Sequence, residues 1–589
     1  MQHRGPDAAA IEDYNIAEWS ITFGHRRLSI VDLSDAANQP FTSDDGAFTL
    51  IFNGEIYNHL ALRQGLIAQG HRFRTRSDTE VLLTGLIQEG TSFLKKANGM
   101  FALALLDRRQ RKLTLARDAF GIKPLYVHRR DDGGLAFASE IRSLAIAGEI
   151  ALKPDETCLA EFLLNGFLYE PSSGFQGIEK VLPGTVLTFD LDSHQVTSHP
   201  FHDPLAEKPN HESLETLLRR QIELEKEADV PVGVFFSGGI DSSVLVSAAP
   251  RPIEAFFVDY GEEQGGDAHY AEAIAAKLDV PLKRAYHRAE ALTADGIIEE
   301  FREVARGTEE PISDYTYIAT RQISRLAREA GYKVMLSGMG GDELLAGYPR
   351  YVAAQYWPML RRFGKAPMWG ADLLALRASW SKRAGRLKAF LAAQDFVEAY
   401  TALVGYFTAD EVIQMTGSRT SVDAAFQRMR TLLAPLEGRS SLRKAMHLDR
   451  HGFLAHNLTV TDRASMSESI EVRVPLLNIA LESFVAGRPD NALMRGRSGK
   501  LPLKGYLEEY LPKDLTHRPK VGFNPPLDGR ISKMGRDRSL DIITTGRIAA
   551  ILDPNIIKTW IDEHFEGRAN HTYRLWQLIY LSLWLNEWQ

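Results

Sequence analysis

The stretch Val232-Gly233-Val234-Phe235-Phe236-Ser237-Gly238-Gly239-Ile240-Asp241-Ser242-Ser243 puts an apolar run, a glycine turn and a polar helix start in immediate succession. An unbroken apolar run of this length reads as a strand buried on both faces. The two glycines let the backbone curl tightly, so that N–H groups of the loop and of a helix starting at Ser242 point at an anion, helped by the helix dipole. A phosphate group fits there. The string lacks the G-x-x-x-x-G-K-[ST] spacing of kinase and GTPase loops. The pair Gly499-Lys500 does not supply it, because Leu501 follows and Met494 stands where the first glycine belongs, so γ-phosphoryl transfer is disfavoured.

Working outward, Ala255-Phe256-Phe257-Val258 and Lys333-Val334-Met335-Leu336 read as further buried strands separated by helical patterns, which predicts a parallel doubly wound sheet. A helix is expected over 214–228, and the chain reads as mostly helical after Tyr351. The second strand continues into Leu336-Ser337-Gly338-Met339-Gly340-Gly341-Asp342-Glu343, another glycine turn with a carboxylate. Two such strand ends in one sheet lie where α/β folds bind ligands.

The first part of the chain reads differently. From Ser20 to Val196 short apolar stretches recur between turn signals, among them Leu50-Ile51-Phe52, Phe101-Ala102-Leu103-Ala104-Leu105 and Val186-Leu187-Thr188-Phe189, with helical patterns at 60–69 and 79–89. Antiparallel sheets carrying a few helices are expected. The Pro-rich segment 199–210 reads as a connection, which puts the boundary near 207 and gives domains 1–206 and 207–589.

At 589 residues the chain is too long for one core. With 44% hydrophobic and 25% charged residues it is neither disordered nor collagen-like, and a net charge of -7 offers no basic surplus for nucleic acid. Its one cysteine, Cys158, cannot form an internal disulfide, no apolar run reaches a membrane span, and the start is not a signal peptide, so a cytoplasmic location is expected.

The string Ser-Gly-Gly-Ile-Asp-Ser-Ser at 237–243 resembles the pyrophosphate loop of the ATP pyrophosphatases, which cleave ATP between the α and β phosphates and adenylate a substrate. Four N-terminal strings resemble the class II glutamine amidotransferase domain. They are 24–32 (GHRRLSIVD), 52–58 (FNGEIYN), 77–80 (SDTE) and 116–126 (ARDAFGIKPLY). Together with the downstream loop, their order is similar to that of the glutamine-hydrolysing asparagine synthetase family across nearly the whole chain. Further matches are 462–466 (DRASM), 471–477 (EVRVPLL) and 518–523 (RPKVGF). The resemblance implies an α+β N-terminal-nucleophile-type glutaminase domain of layered antiparallel sheets. An α/β doubly wound ATP pyrophosphatase domain with a helical C-terminal part follows it.

It also implies a ligase with ATP and Mg2+ as cofactors. Ser237, Gly239, Asp241 and Ser242 would hold pyrophosphate, with Asp241 and Asp342 on magnesium. Phe236, Val258, Ser337 and Gly338 would frame adenine and ribose, although Phe236 and Val258, taken alone, read as core residues at the ends of buried strands. Lys500 resembles the family's lysine facing the pentavalent phosphorus. The α-carboxylate of glutamine suits the guanidinium fork of Arg27, and its α-ammonium suits Glu55 and Asp78. Asn53 and the Gly54 N–H would stabilise the oxyanion, although Asn-Gly is also a hairpin-turn pair.

Two departures stand out. The family's nucleophile is an N-terminal cysteine, and this sequence opens on His-Arg-Gly-Pro-Asp; an upstream start is one expectation and use of free ammonia the other. Cys158 reads as an inert packing thiol. Secondly, Met339 replaces an acidic residue of the asparagine-forming enzymes. The acceptor is then aspartate, or another carboxylate such as a uronic or secondary-metabolite acid. Expected partners are small molecules (glutamine, ATP and that carboxylate), with a homodimer as assembly and neither nucleic acid nor membrane. A non-catalytic descendant, or a loop-sharing synthetase of argininosuccinate or GMP type, is the rival reading. The latter leaves the amidotransferase strings unexplained.

Overall fold

The computed structural model describes residues 1–259, 267–286, 292–362, 381–517 and 527–588. The string at 518–523 lies outside them.

The N-terminal part opens with a two-stranded antiparallel sheet, β1 (Ala8–Ile16) and β2 (Trp19–Arg27). A six-stranded sheet is built from β3 (Phe41–Thr42), β4 (Phe48–Ile56), β5 (Gly99–Asp107), β6 (Lys112–Arg117), β10 (Thr185–Asp190) and β11 (Val196–Pro200). Its order is β11-β10-β6-β5-β4-β3, every pair antiparallel. β7 (Tyr126–Arg129), β8 (Leu135–Ala138) and β9 (Ile178–Lys180) form a third, smaller sheet. The layering follows from the period of two in β5. Leu103 and Leu105 pack with Leu66, Val81 and Leu86 of helices α1 (His59–Ala68) and α2 (Asp78–Glu89). The alternate residues Ala102, Ala104 and Leu106 pack with Phe23 of β2 and Leu125 on the other face. These are the expected antiparallel layers with helices. Two further helices, α3 (Ile141–Gly148) and α4 (Glu156–Asn165), complete this half.

After the connection, α5 (Leu214–Glu225) leads into a five-stranded sheet whose paired strands all run parallel. Its strands are β12 (Val232–Phe235), β13 (Ala255–Asp259), β14 (Leu282–Tyr286), β15 (Val334–Leu336) and β16 (Glu471–Arg473), in the order β14-β13-β12-β15-β16. The chain therefore builds outward from β12 through β13 and β14, then returns to lay β15 on the other side. That reversal makes a crevice between the C-terminal ends of β12 and β15, the switch point at which open α/β sheets bind ligands. Helix α6 (Ile240–Ala248) begins two residues earlier than the sequence suggested, which puts Asp241 and Ser242 in its first turn. Beyond 349 the described chain is helical apart from β16.

The two halves share apolar surface. Tyr57, Met100, Phe120 and Ile122 of the first pack in one buried cluster with Phe256, Val258, Met335 and Leu454 of the second, and Met339 lies against it. Among the described residues, no helix is long and apolar enough to cross a membrane.

Candidate functional site

The two glycine turns after β12 and β15 touch. Gly238 adopts φ +65°, which a side chain would strain, and an added Cβ would stand 2.9 Å from the Ala271 Cα. The turn is closed by hydroxyls: Ser237 N–H donates to Ser242 Oγ (3.2 Å), Gly239 N–H donates to Ser237 Oγ (3.3 Å), and Ser242 Oγ donates to the Gly239 carbonyl (3.3 Å). Across the crevice, Gly338 abuts Asp241, and Gly341 also approaches the Asp241 carboxylate. Ser237, Gly239, Asp241, Ser242, Ser337, Gly338 and Asp342 are thus gathered at one point. Phe236 and Val258 end their strands beside it, but both side chains are buried at 2% exposure, each within a hydrophobic cluster. What those two positions offer the crevice is backbone.

Lys500 comes to the same point from 160 residues beyond the second turn. It is 4% exposed, so the ordinary picture of a solvated helix lysine does not hold. Its backbone takes the left-handed conformation (φ 54°, ψ 34°) just before the helix Leu501–Leu507, and its N–H donates to the Leu345 carbonyl at 3.0 Å. Nζ lies 2.5 Å from Asp241 Oδ2 and 2.7 Å from Asp342 Oδ1. Burial favours the neutral amine, yet the two carboxylates outweigh it and hold Lys500 above its ordinary value.

The point that Nζ occupies is one that both carboxylates reach. Among the described residues no group of three or more His, Cys, Asp or Glu side chains could hold a metal. An ion here would therefore take these two carboxylates and draw its remaining ligands from phosphate and water, a donor set that suits Mg2+.

The glutamine residues also converge, on β2, β4 and α2. Asn53, Gly54 and Glu55 do not form a turn. They lie inside β4, opposite Ala102, Phe101 and Met100 of β5. Asn53 Nδ2 donates to Ser139 Oγ at 3.2 Å. Ser77 caps α2 by accepting the Glu80 N–H, which places Asp78 in the first turn, where it accepts the Ile56 N–H at 2.9 Å. Glu55 and Asp78 are both buried, and burial raises both above the ordinary carboxylate range, most strongly Glu55, to which Asp78 adds like charge. Arg473, whose Nη2 lies 3.6 Å from Glu55 Oε1, offsets only part of this. Arg27 is placed otherwise than as an open fork: Nη1 donates to Ser34 O (2.9 Å) and Asn38 Oδ1 (3.0 Å), and Nη2 to the carbonyls of Val31 (3.2 Å) and Asp32. Its terminal N–H groups hold the loop that follows β2.

The string at 116–126 has an architectural task. Buried Asp118 accepts N–H groups of Phe101, Phe120, Ile122 and Lys123 at 3.0–3.1 Å, and Arg117 donates to the carbonyls of Gly121, Lys123 and Val181 and to Glu170. This rigid turn aims Lys123 into the domain boundary, where Nζ lies 3.7 Å from Asp462 and 3.9 Å from Glu471. Arg4 meets Asp462 from another side at 2.7 Å. Sequence reasoning assigned no role to Lys123, Glu471 or Arg473. Their signal was a run of charges inside an apolar string, Glu471-Val472-Arg473-Val474, which a buried strand keeps only when the charges are paired.

Comparison with known proteins agrees in both halves. The family described as "Asparagine synthase" matches residues 213–589, and the "Glutamine amidotransferase domain" family matches 1–202. The chain is 27% identical over 597 residues to the protein named asparagine synthetase [glutamine-hydrolyzing] 1 of Bacillus subtilis, covering 99% of this chain and 91% of that one. It is 29% identical over 625 residues to a putative asparagine synthetase [glutamine-hydrolyzing] of Mycobacterium bovis, covering 99% and 92%. A 30% match over 395 residues, covering 61% of this chain and 56% of the relative, joins it to a Penicillium rubens protein named amidase chyE. The chain belongs to the asparagine synthase family, as a carbon–nitrogen ligase carrying a glutamine amidotransferase domain.

Proposed function

We propose that this chain is an ATP-dependent amidotransferase that adenylates a carboxylate, aspartate first among the candidates, and converts it to an amide with nitrogen drawn from glutamine. The carrying observation is the meeting of Asp241, Asp342 and Lys500 at the mouth of two glycine turns. One acceptor oxygen attacks the α-phosphorus, and the α–β bridging oxygen leaves with pyrophosphate. Ammonia then attacks the acyl carbon, AMP leaves, and the nitrogen sheds a proton as the amide forms.

In this reading the N–H groups at Ser237–Ser242 cradle the leaving pyrophosphate. Lys500, kept charged by its two carboxylates, meets the negative charge that builds at phosphorus. Asp241 and Asp342 would hold Mg2+, which when bound neutralises phosphate charge. The backbone at Phe236, Val258, Ser337 and Gly338 frames the nucleoside.

On the amide side, Glu55 and Asp78 take the α-ammonium of glutamine. Arg27 takes its α-carboxylate by exchanging one or two of its carbonyl partners. Asn53 and the Gly54 N–H face the oxyanion. Cys158 is unsuited as nucleophile, being buried with its thiol pushed up to about 11 by burial. The division near residue 207 separates the two chemistries, and the apolar cluster from Tyr57 and Met100 to Val258 and Met339 lines the boundary that ammonia would cross.

A second reading, an acceptor other than aspartate, is favoured by Met339, whose sulfur lies 3.9 Å from the Thr461 hydroxyl beside that apolar cluster and accepts no proton. Pyrophosphate release from ATP decides between them, measured with ammonium and a panel of acids. Stimulation by aspartate supports the first reading, stimulation only by a sugar acid or another carboxylate supports the second, and no release with any acid rejects both.

A further inference from the structure

Arg473 belongs to both sites at once. Its side chain is fully buried, and each arm has a different task. Nε donates to Glu471 Oε1 at 2.9 Å, and Nη1 donates to the carbonyls of Glu225 and Glu227 at 2.9 Å each, where α5 ends. Nη2 faces Glu55 Oε1 at 3.6 Å and makes no hydrogen bond among the described residues. That separation is an ion-pair contact, too long for a hydrogen bond. The face of the Tyr57 ring lies 5.4 Å from the guanidinium carbon. The backbone of the same residue points the other way functionally: its carbonyl accepts the N–H of Ser337 at 2.8 Å, the first residue of the turn against Asp241.

The charges continue beyond it. Glu471 stands between Arg473 and Lys123, and Asp462 between Lys123 and Arg4, so cations and carboxylates alternate through the buried boundary. In such a row each carboxylate divides its field between neighbours, and a new cation at one end displaces the next. A ligand ammonium arriving between Glu55 and Asp78 shares Glu55 with Arg473 and repels its guanidinium toward Glu471. Parallel pairing of β15 with β16, with Leu336 opposite Arg473, carries that displacement to Ser337.

We propose that Arg473 is a positioning residue shared by the two sites, through which occupancy of the Glu55–Asp78 pair by a ligand ammonium group moves Ser337 and changes the affinity for ATP. This rests on the reading of those two sites given above.

The test is calorimetric titration of the full chain with Mg2+–ATP, with and without saturating L-glutamine, and with L-glutamine, with and without saturating Mg2+–ATP. The expected coupling is a change of about fivefold or more, equal in both directions because linkage is reciprocal. Arg473→Lys keeps the charge but cannot span Glu471, two carbonyls and Glu55 together. In that variant the coupling factor should fall to about 1, whatever the change in the affinity for each ligand alone. A parent factor of 1 with both ligands binding overturns the inference and leaves the site reading standing, as does an unchanged factor in the lysine variant. No glutamine binding in the parent overturns both. Should Arg473→Lys not fold, Glu471→Gln returns Arg473 to Glu55: glutamine affinity should drop by about threefold or more with ATP affinity alone unchanged. Unchanged glutamine affinity there counts against the proposal.

Discussion

Gly338 stands so close to Asp241 that a methyl group on it would lie 2.6 Å from the Asp241 Cβ and 2.8 Å from its carbonyl carbon. The contact sets the distance between the two turns of the nucleotide crevice, and helix and strand hold both sides. Gly338→Ala must therefore part the turns. A misplacement of about an ångström can cost roughly a hundredfold in rate, so pyrophosphate release should fall by about that factor. Circular dichroism should remain that of the parent. Parent-like release by the alanine variant would mean that the turns do not act as one site.

Lys500 neutralises a point where the half-buried Asp241 and the buried Asp342 carboxylates meet. Lys500→Met takes from Asp241 and Asp342 the ammonium they share, which destabilises the fold as well as slowing phosphorus chemistry. Divalent cations should partly restore what is lost. Thermal unfolding with and without 10 mM-scale Mg2+ should therefore give a larger stabilising shift in the variant than in the parent, by the mass action of a ligand that binds only the folded state. Equal shifts would argue that the ion is held elsewhere.

Much of this arrangement was legible in the residues. The apolar run before Ser237 and the glycine-carboxylate string after Leu336 each announce a strand end, because buried parallel strands carry unbroken hydrophobic sequence. Asn53-Gly54 shows the opposite case, since an Asn-Gly pair speaks for a turn, whereas pairing with Ala102 and Phe101 keeps it inside a strand. Arg27 was foreseen as a residue but not in its partners. Which carbonyls a guanidinium meets depends on a loop closing back on the strand, and no local pattern encodes that. The row from Arg4 to Arg473 was invisible for a related reason: its members lie up to 469 positions apart and only the packing of two domains makes them neighbours.

Arg27 supports a loop and, in our reading, a substrate. Arg27→Lys retains one charge but cannot serve Ser34, Asn38, Val31 and Asp32 together. Glutamine binding should weaken about tenfold or more, the effect of losing a charge-assisted pair worth about 1.5–3 kcal/mol. Mg2+–ATP binding should be unchanged in the same preparation. If glutamine binds the variant as it binds the parent, Arg27 is a scaffold residue alone.

The buried carboxyl groups predict how stability depends on pH. Burial pushes Glu225 up to about 8, against the pull of the Gln221 amide that donates to it at 2.7 Å, and pushes Glu161 and Glu343 up to about 7. An unfolded glutamate titrates near 4.3, roughly, so between that value and 7 to 8 the folded chain holds protons that the unfolded chain has released. These three groups thus contribute stability that is fully present below the unfolded value and is lost as pH rises through 7 and 8. Asp462 and Glu482 act in the opposite sense. Burial opposes their ionisation, but Arg4 beside Asp462 and Arg450 beside Glu482 overcome it and hold both below the ordinary range, so their contribution is lost in acid. The thermal midpoint should therefore be highest at about pH 4 to 5, near the unfolded carboxylate values, and decline toward 8.5. Glu225→Gln has the same shape and keeps the Gln221 contact, with nothing left to ionise. Its midpoint should fall less than the parent's between pH 6 and 8.5, and parallel curves for the two proteins would show that Glu225 is already ionised at neutral pH.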